Sequence, residues 1–282
     1  MRGPVAARME HTIPVPSVRS SPRPWVGQLA LRTVRNLGAC WMWARLDTVC
    51  HYRRSKIGPI WETLNVLVAI FGLTVVSSAV IGGDMTAIMG YIGIGMIVWT
   101  AINSLVTEGS TTFIRNAGLI TTSAISIDLY VGRTVFKTII NFGHHIILYF
   151  LGVAFLLVPL TWTSLLAIPG VLLLFINGYW ICTALAFLCA RFRDLEHIVR
   201  SLLQLAFFAT PVFWHHNIIA SGKQFIVDYN ILFYMIEIIR SPLLGQIPPL
   251  KYYIVVLCFT AFGYAAAFLV YRRMRRRLAF FV

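Results

Sequence analysis

The sequence predicts an all-α integral membrane protein that crosses the bilayer about six times, with both chain ends in the cytoplasm. Only 12% of its 282 residues are charged and 58% are apolar, whereas about a quarter of the residues in a soluble domain are charged. The apolar residues fall into blocks near the roughly 20 residues that a helix needs to cross the hydrocarbon. Lysine and arginine collect on one side of these blocks, which indicates the orientation.

The N-terminal region is predicted to stay outside the bilayer core. Residues 1–24 carry prolines among scattered arginines and have no apolar run, so we expect a disordered cytosolic tail and no signal peptide. Residues 25–61 mix aromatic side chains such as Trp25 and Trp41 with arginines such as Arg32 and Arg45. This mixture is typical of an amphipathic helix that lies in the cytoplasmic interface of the membrane.

Six nearly charge-free stretches are the predicted spans, and together with their connections they form a transmembrane domain over 62–271. The spans cover residues 63–82, 87–107, 135–158, 165–190, 196–214 and 251–271. The charged tetrapeptide from Arg191 to Asp194 separates the fourth span from the fifth, because a charge at the bilayer centre costs about 2.5–3.5 kcal/mol. Residues 215–250 are half apolar but contain polar interruptions, which predicts short re-entrant or surface-lying helices on the outer side. Residues 272–282 form a basic cytosolic tail.

The placement of positive charge predicts the topology. With the N terminus inside, all but three of the 24 Lys and Arg residues lie on the cytoplasmic side, the exceptions being Lys223, Arg240 and Lys251. The positive-inside rule favours this arrangement. The net charge of +14 is then explained by membrane flanks that border anionic lipid, and we expect no nucleic acid partner.

No pattern of catalytic or metal-binding residues stands out in the sequence. The pairs His144-His145 and His215-His216 have no carboxylate or thiol at metal-ligand spacing, and the five cysteines are expected to be free thiols. There is no phosphate-binding loop, nucleophile elbow or paired-carboxylate site. The predicted spans hold few ionisable residues, which disfavours transport driven by protons or sodium. We therefore expect a protein that is not an enzyme, that binds no cofactor and that takes its energy from another polypeptide.

Two segments are candidates for functional surfaces. The cytosolic loop over 108–134 exposes apolar residues such as Leu119 and Ile120; it could dock a cytosolic partner or lie against the bilayer surface. Four aromatic residues surround the end of the fifth span, namely Phe207, Phe208, Phe213 and Trp214. Phe207 and Trp214 are expected to share one helix face, kinked by Pro211. They could stack on sugar rings, form a belt at the lipid head groups, or pack against other helices.

An ordered set of motifs over about 45–275 resembles the permease subunits of ABC transporters that export polysaccharides such as O-antigen, teichoic acid and capsule. The run from Arg53 to Trp61 resembles the family's "RY-x-x-S-x-L-G-x-x-W" approach to the first span, with Ile57 in place of the usual leucine. Residues 116–120 are similar to the family's cytosolic loop. Residues 191–195, followed by 210–214, resemble its "RFRD…TPVxW" segment.

The resemblance implies a homodimer of this chain with two separate ATPase subunits that hold ATP and Mg²⁺. Such a complex exports a lipid-linked glycan across the bacterial inner membrane during lipopolysaccharide biosynthesis. The implied cytoplasmic gate, where the lipid head group enters, contains Arg53, Arg54, Lys56 and Trp61. The implied ATPase-coupling loop contains Arg115, Asn116, Gly118, Leu119, Ile120, Asp128 and Tyr130. The implied cytosolic motif contains Arg191, Arg193 and Asp194. The implied glycan path contains the four aromatic residues Phe207, Phe208, Phe213 and Trp214. Residues 215–250 would form an outer gate.

Two other functions remain open at this level. A related permease could export a small molecule or a lipo-oligosaccharide. A membrane glycosyltransferase is a third hypothesis, but it needs an acidic site at the membrane surface. Asp47, Asp128 and Asp194 are too scattered along the chain to make an obvious one.

Overall fold

The computed structural model describes residues 36–53, 55–123, 125–155, 157–215 and 225–282. The predicted tail over 1–24, the first part of the predicted interface helix, Arg54, and residues 216–224 lie outside the described residues. Within the described part the secondary structure is helical, without a strand. The expectation of an all-α membrane fold is confirmed.

Eleven α-helices are described in chain order. They are α1 Leu37–His51, α2 Ile60–Ile81, α3 Met85–Arg115, α4 Ala117–Thr122, α5 Ile127–Ala154, α6 Ala167–Arg191, α7 Leu195–Ala209, α8 Phe225–Asp228, α9 Ile231–Leu243, α10 Leu250–Met274 and α11 Leu278–Phe281. Short 3₁₀ turns precede α6 at Trp162–Leu166 and precede α11 at Arg275–Arg277.

Among the described residues, five helical segments are long and apolar enough to cross a membrane. They are Ile60–Val80, Met85–Arg115, Ile127–Ala154, Trp162–Arg191 and Leu250–Arg277. The stretch predicted as a further span over 196–214 forms only the 15-residue helix α7. At 1.5 Å per residue α7 is about 22 Å long, shorter than the ~30 Å hydrocarbon core. The chain is a multi-pass membrane protein, and the sixth crossing stays a prediction.

Two spans are longer than hydropathy predicts. Helix α3 continues past residue 107 to Arg115, and α5 begins at Ile127 instead of 135. The expected loop over 108–134 is therefore helical in most of its length, and its connection runs only from Asn116 to Ser126. The extensions are polar but bonded to each other, because Thr112 and Thr134 hydroxyls lie 3.0 Å apart and Lys137 donates to Glu108 at 2.8 Å. Hydropathy measures the bilayer-spanning part of a helix, not its full length.

The centre of the bundle is the parallel pair α3 and α6. A Cβ on Gly109 of α3 would lie 2.9 Å from the Cα of Cys182 on α6, so only glycine permits this approach. Phe113 and Phe187 continue the contact with ring centroids 4.9 Å apart. Close approach of small residues is the usual way in which membrane helices pack.

The C-terminal ends of α3 and α6 lie on the same side of the bundle as α1, α4 and α11. We call this side the basic end, since it carries most of the described arginines and lysines. The predicted basic tail over 272–282 does not extend freely here: Leu278 of α11 is buried against the core, and Arg191 stacks over Phe281 at 5.7 Å. The opposite side, where α9 lies, is called the distal end.

Helix α1 lies along α5. Its buried face consists of the small side chains Cys40, Ala44 and Thr48, one helical turn apart, and its outer face exposes Trp41 and Leu46. Among the described residues of the predicted amphipathic region over 25–61, the helix covers 37–51, and residues 25–35 lie outside the described residues. Its position in a membrane interface stays a prediction.

Candidate translocation path and coupling surface

The four aromatic residues at the end of α7 lie together, and we call them the aromatic group. The ring of Phe207 is 5.4 Å from Phe213 and 5.6 Å from Phe208, and Trp99 of α3 lies 5.3 Å from Phe207. Phe208 is largely exposed, while Phe207, Phe213 and Trp214 are half-buried. The group is therefore held on one side by the bundle and open on the other.

The expectation that Phe207 and Trp214 share a helix face is wrong. Helix α7 ends at Ala209, and Thr210 is extended with ψ 135°. A proline disfavours the helical conformation for the residue before it, so Pro211 ends the helix instead of kinking it. The chain then turns back, and the Trp214 indole nitrogen donates to the Phe208 carbonyl at 3.2 Å.

In residues 210–214, which we call the interrupted segment, the carbonyls of Thr210, Pro211 and Phe213 each accept a hydrogen bond. Irregular backbone within a membrane protein is tolerated where protein satisfies its polar groups. The Ser77 hydroxyl of α2 donates to the Phe213 carbonyl at 3.0 Å. The Asn230 amide donates to the Thr210 hydroxyl at 2.9 Å. The break in α7 is thus tied to α2 on one side and to the start of α9 on the other.

A third contact with the interrupted segment comes from an ion pair within α9. Arg240 and Glu237 are buried, and the guanidinium donates both to the Glu237 carboxylate and, at 2.8 Å, to the Pro211 carbonyl. The guanidinium carbon also lies 3.7 Å above the ring of Tyr91 on α3, a cation–π contact. The second Glu237 oxygen accepts from the Ser241 hydroxyl at 2.6 Å.

The sequence alone does not identify this pair, because the charge count places Arg240 among the three outer charges and the polar interruptions predict either re-entrant or surface-lying helices over 215–250. The structure instead buries α9 against α3, α6 and α10. A signal was present: Glu237 and Arg240 are three residues apart in an otherwise apolar run from Ile231 to Leu243. Opposite charges one turn apart face each other on a helix, and an apolar run around them indicates burial.

The residues predicted for coupling fall into two groups at the basic end. Helix α4 has no buried residue, and it exposes Gly118 and Leu119. Arg115 is also exposed, and Ile120 is partly buried against the core. Arg115, Gly118 and Leu119 therefore form an open surface, while Ile120 packs against the core.

The other predicted coupling residues are part of the bundle. Tyr130 is buried, with Trp43 of α1 5.3 Å away. Asp128 is buried and accepts from the Ser126 hydroxyl at 3.2 Å. Asn116 bonds its amide nitrogen to the Thr112 carbonyl at 2.7 Å. Their side chains anchor the connection between α3 and α5, and the exposed α4 is held between these anchors.

Arg133 of α5 joins α1 to that connection. Its guanidinium donates to the Asp47 carboxylate of α1 and, at 3.0 Å, to the Asn116 amide oxygen. It also lies 4.7 Å from the ring centroid of Trp43. One side chain therefore contacts α1, the end of α3 and the segment that leads into α4.

The predicted gate residues surround the turn between α1 and α2. Arg53, Lys56 and Trp61 are exposed, while Arg54 lies outside the described residues. Burial, followed by the negative charge of Glu62, raises the pKa of Tyr52 to about 12. The turn therefore presents positive charge outward beside a tyrosine that stays neutral, an arrangement suited to an anionic head group.

The motif from Arg191 to Asp194 forms the tight turn between α6 and α7. Arg191 stacks over Phe192 at 5.1 Å, and Arg193 and Asp194 are exposed. The Asp194 carbonyl accepts the first backbone bond of α7 from His197 at 3.1 Å. The structure thus places this motif with the coupling and gate residues at the basic end. The aromatic group contacts Trp99 of α3, and about 24 Å of helix separates Trp99 from Arg115 at the basic end.

Comparison with known proteins agrees with this architecture. Residues 39–244 match the ABC-2 type transporter family, and the chain belongs to that family. It is therefore a membrane permease component of an ABC transporter.

A relative is the O-antigen export system permease protein of Myxococcus xanthus, which is 27% identical over 164 residues. That match covers 58% of this chain and 63% of the relative. The chain thus spans just under two thirds of the length of the relative that it matches.

Proposed function

We propose that this chain is the permease subunit of an ABC transporter that exports a lipid-linked polysaccharide across the bacterial inner membrane. Two copies would assemble with two ATPase subunits, which would hold ATP and Mg²⁺, and both chain ends would face the cytoplasm. The observation that carries the proposal is that one chain has an exposed short helix, α4, at the basic end and the aromatic group, where α7 is interrupted, towards the distal end. The similarity to an O-antigen export permease of Myxococcus xanthus supports the choice of substrate.

The docking surface is the exposed group Arg115, Gly118 and Leu119 on and before α4. An exposed apolar residue beside a positive charge on a short helix suits a groove on a cytosolic protein. Helix α4 continues directly into Asn116 and α3, so a push on α4 would reach a membrane-spanning helix. This continuity supports the assignment of α4 as the contact with the ATPase.

The path for the glycan is assigned to the open side of α7. This side carries Phe208 together with the polar side chains Ser201 and Gln204, all exposed in the single chain. Aromatic rings stack on the C–H faces of sugars, while hydroxyl and amide groups bond to sugar hydroxyls. In a homodimer, two such faces would enclose a passage suited to a glycan.

Co-purification tests the ATPase assignment. Affinity-tagged wild-type chain, extracted from its native membrane, is expected to co-purify with an ATPase subunit. Leu119→Asp is expected to reduce the recovered ATPase at least about tenfold, because the interface would then bury a charge without a partner. Leu160→Asp is the matched control, since Leu160 is an exposed leucine at the distal end, and it should recover the ATPase as the wild type does. Wild-type chain that recovers no ATPase would contradict the proposal.

Surface glycan measurement tests the substrate. Loss of the chain is expected to deplete surface polysaccharide and to accumulate lipid-linked glycan inside the cell. Phe208→Ala should reduce export several-fold, because it removes a ring that would stack on the sugar chain, whereas Phe262→Ala, which removes an exposed ring on α10, should not. Unchanged surface glycan in the strain without this chain would favour a permease for small molecules.

A further inference from the structure

Glu237 and Arg240 form an enclosed ion pair that belongs neither to the proposed docking surface nor to the proposed aromatic lining of the path. Their side chains are 7% and 0% exposed, and α9 surrounds them with Ile236, Ile238 and Ile239. A buried ion pair is weak evidence for stability, because an apolar replacement often stabilises as well. The pair is therefore better explained by a role that depends on directional hydrogen bonds, such as holding another element in place.

The element that Arg240 holds is the interrupted segment. Its guanidinium is fixed by Glu237 in its own helix, lies over the Tyr91 ring of α3, and donates at 2.8 Å to the carbonyl of Pro211. A guanidinium is planar and can serve a carboxylate and a carbonyl at the same time, whereas an ammonium on a flexible stem is a point charge. Arginine therefore suits this position better than lysine.

The packing around Pro211 leaves little freedom for the segment. A Cβ at Gly95 would lie 3.0 Å from the Val212 carbonyl and 3.2 Å from the Arg240 Nη1 atom. Tyr91 also directs its hydroxyl to the Pro211 carbonyl, at 3.5 Å. Since Pro211 lies between Phe208 and Phe213, holding its carbonyl restrains the backbone that carries both rings.

We propose that Arg240 is a positioning residue for export: it holds the interrupted segment, and with it the aromatic group, at a fixed place in the glycan path. The segment and α9 then move as one body during transport. This inference rests on the proposed function, because it assigns the aromatic group to the path.

The test compares Arg240→Gln and Arg240→Lys with wild type, in the complete complex with its ATPase. Glutamine keeps hydrogen-bonding capacity but loses the charge and the reach, so export per assembled complex is expected to fall at least about tenfold, with ATP hydrolysis within about twofold. Lysine should restore part of the export. Lys251→Gln is the charge-loss control, because Lys251 is exposed on α10 and lies outside the proposed glycan path.

The ratio of export to ATP hydrolysis separates positioning from simple folding. A variant that only folds poorly reduces the amount of complex but leaves export per complex unchanged. Export per complex within about twofold of wild type in Arg240→Gln would overturn the inference. A wild-type complex that exports no glycan would instead contradict the proposed function itself.

A cross-link provides a second test if Arg240→Gln does not assemble. The Thr210 hydroxyl and the Asn230 amide nitrogen lie 2.9 Å apart, so we would introduce Thr210→Cys with Asn230→Cys, replace the exposed Cys50 and Cys258 by serine, and verify by mass spectrometry that a disulfide forms. Oxidation should leave export at the level of the Thr210→Cys single variant, because the two sites move together. Loss of export on oxidation, reversed by reduction, would show that they must separate and would overturn the inference.

Discussion

At the scale of single residues, Arg133 is the clearest link between parts that the sequence places far apart. It joins Asp47 and Trp43 of α1 to Asn116 at the end of α3. These contacts are charge-assisted or cation–π, and such contacts are stronger than neutral hydrogen bonds. The predicted gate turn follows α1, and the predicted docking helix follows Asn116. Arg133 therefore joins the two predicted cytoplasmic functions.

Replacing Arg133 with glutamine is expected to loosen α1 from α5, and the reactivity of Cys40 reports this. Burial, followed by the charge of Asp128, raises the pKa of Cys40 to about 11. At pH 8 only about one thiol in a thousand is then ionised, and the thiolate is the form that alkylates. In wild type, alkylation of Cys40 should be slow and should increase as the pH rises towards 11.

In Arg133→Gln, Cys40 becomes solvated, its pKa falls, and alkylation at pH 8 should be at least about tenfold faster. Mass spectrometry of the labelled chain distinguishes Cys40 from the exposed Cys50. Lys137→Gln is the control, because Lys137 bonds Glu108 between α3 and α5 and leaves α1 untouched. Equal Cys40 labelling in wild type and in Arg133→Gln would contradict the role of Arg133 in holding α1 against α5.

At the scale of elements, the close approach of α3 and α6 organises the bundle. Gly109 contacts Cys182 without space for a side chain, and the Cys182 thiol donates to the Leu105 carbonyl at 3.0 Å. The outer spans differ, since α2 and α10 bury only 28% and 17% of their most apolar stretches within the chain. The central pair is thus the rigid part, and the outer spans are left for lipid or for a second subunit.

A pair of glycine substitutions tests this packing. Gly109→Leu should force α3 and α6 apart and destabilise the fold by about 1–3 kcal/mol or more, because overpacking a tight contact displaces backbone. Gly143→Ala on α5 is the matched control: nothing lies within 4 Å of its Cβ position, and alanine favours helix by about 0.5–1 kcal/mol. Thermal unfolding in detergent should give a lower Tm for the first and an equal or higher Tm for the second. A stable Gly109→Leu protein would contradict the close approach.

Helix α7 shows how an element can differ from its hydropathy. Residues 196–214 are apolar enough to be predicted as a span, but Pro211 restricts Thr210 to an extended conformation. The helix ends at Ala209, and side chains of Ser77, Asn230 and Arg240 satisfy the backbone or cap of the segment that follows. A hydropathy window sums residues and contains no information about which partners complete a broken helix.

At the scale of the whole molecule, the number of crossings determines where the two chain ends lie. Both ends can face the same compartment only if the chain crosses the bilayer an even number of times. The basic end carries α1 and α11 together, and five helical segments are long enough to span. The proposed placement of both chain ends in the cytoplasm therefore requires the chain from α7 through α9 to supply a sixth crossing, which stays a prediction.

Cysteine accessibility in intact cells tests this arrangement, with Cys50 and Cys258 replaced by serine. Cysteines at Asp84 and Thr161 should react with a membrane-impermeant maleimide, because both positions are exposed at the distal end. Cysteines at Leu119 and Arg276 should react only after the membrane is opened, as the positive-inside rule predicts. Labelling of Leu119→Cys in intact cells would reverse the proposed orientation.

The sequence determined the all-α membrane fold and the existence of the five long spans, and it indicated the exposed residues Arg115, Gly118 and Leu119. It did not determine the lengths of α3 and α5, which extend beyond 107 and before 135. Hydropathy and charge act along the chain, because lipid meets each segment directly and excludes charge wherever it occurs. Only the tertiary structure decided that Glu237 and Arg240 are buried partners, that α7 ends before Trp214, and that Arg133 joins α1 to α3. These features depend on which other elements surround a residue, and that neighbourhood forms only when the helices pack.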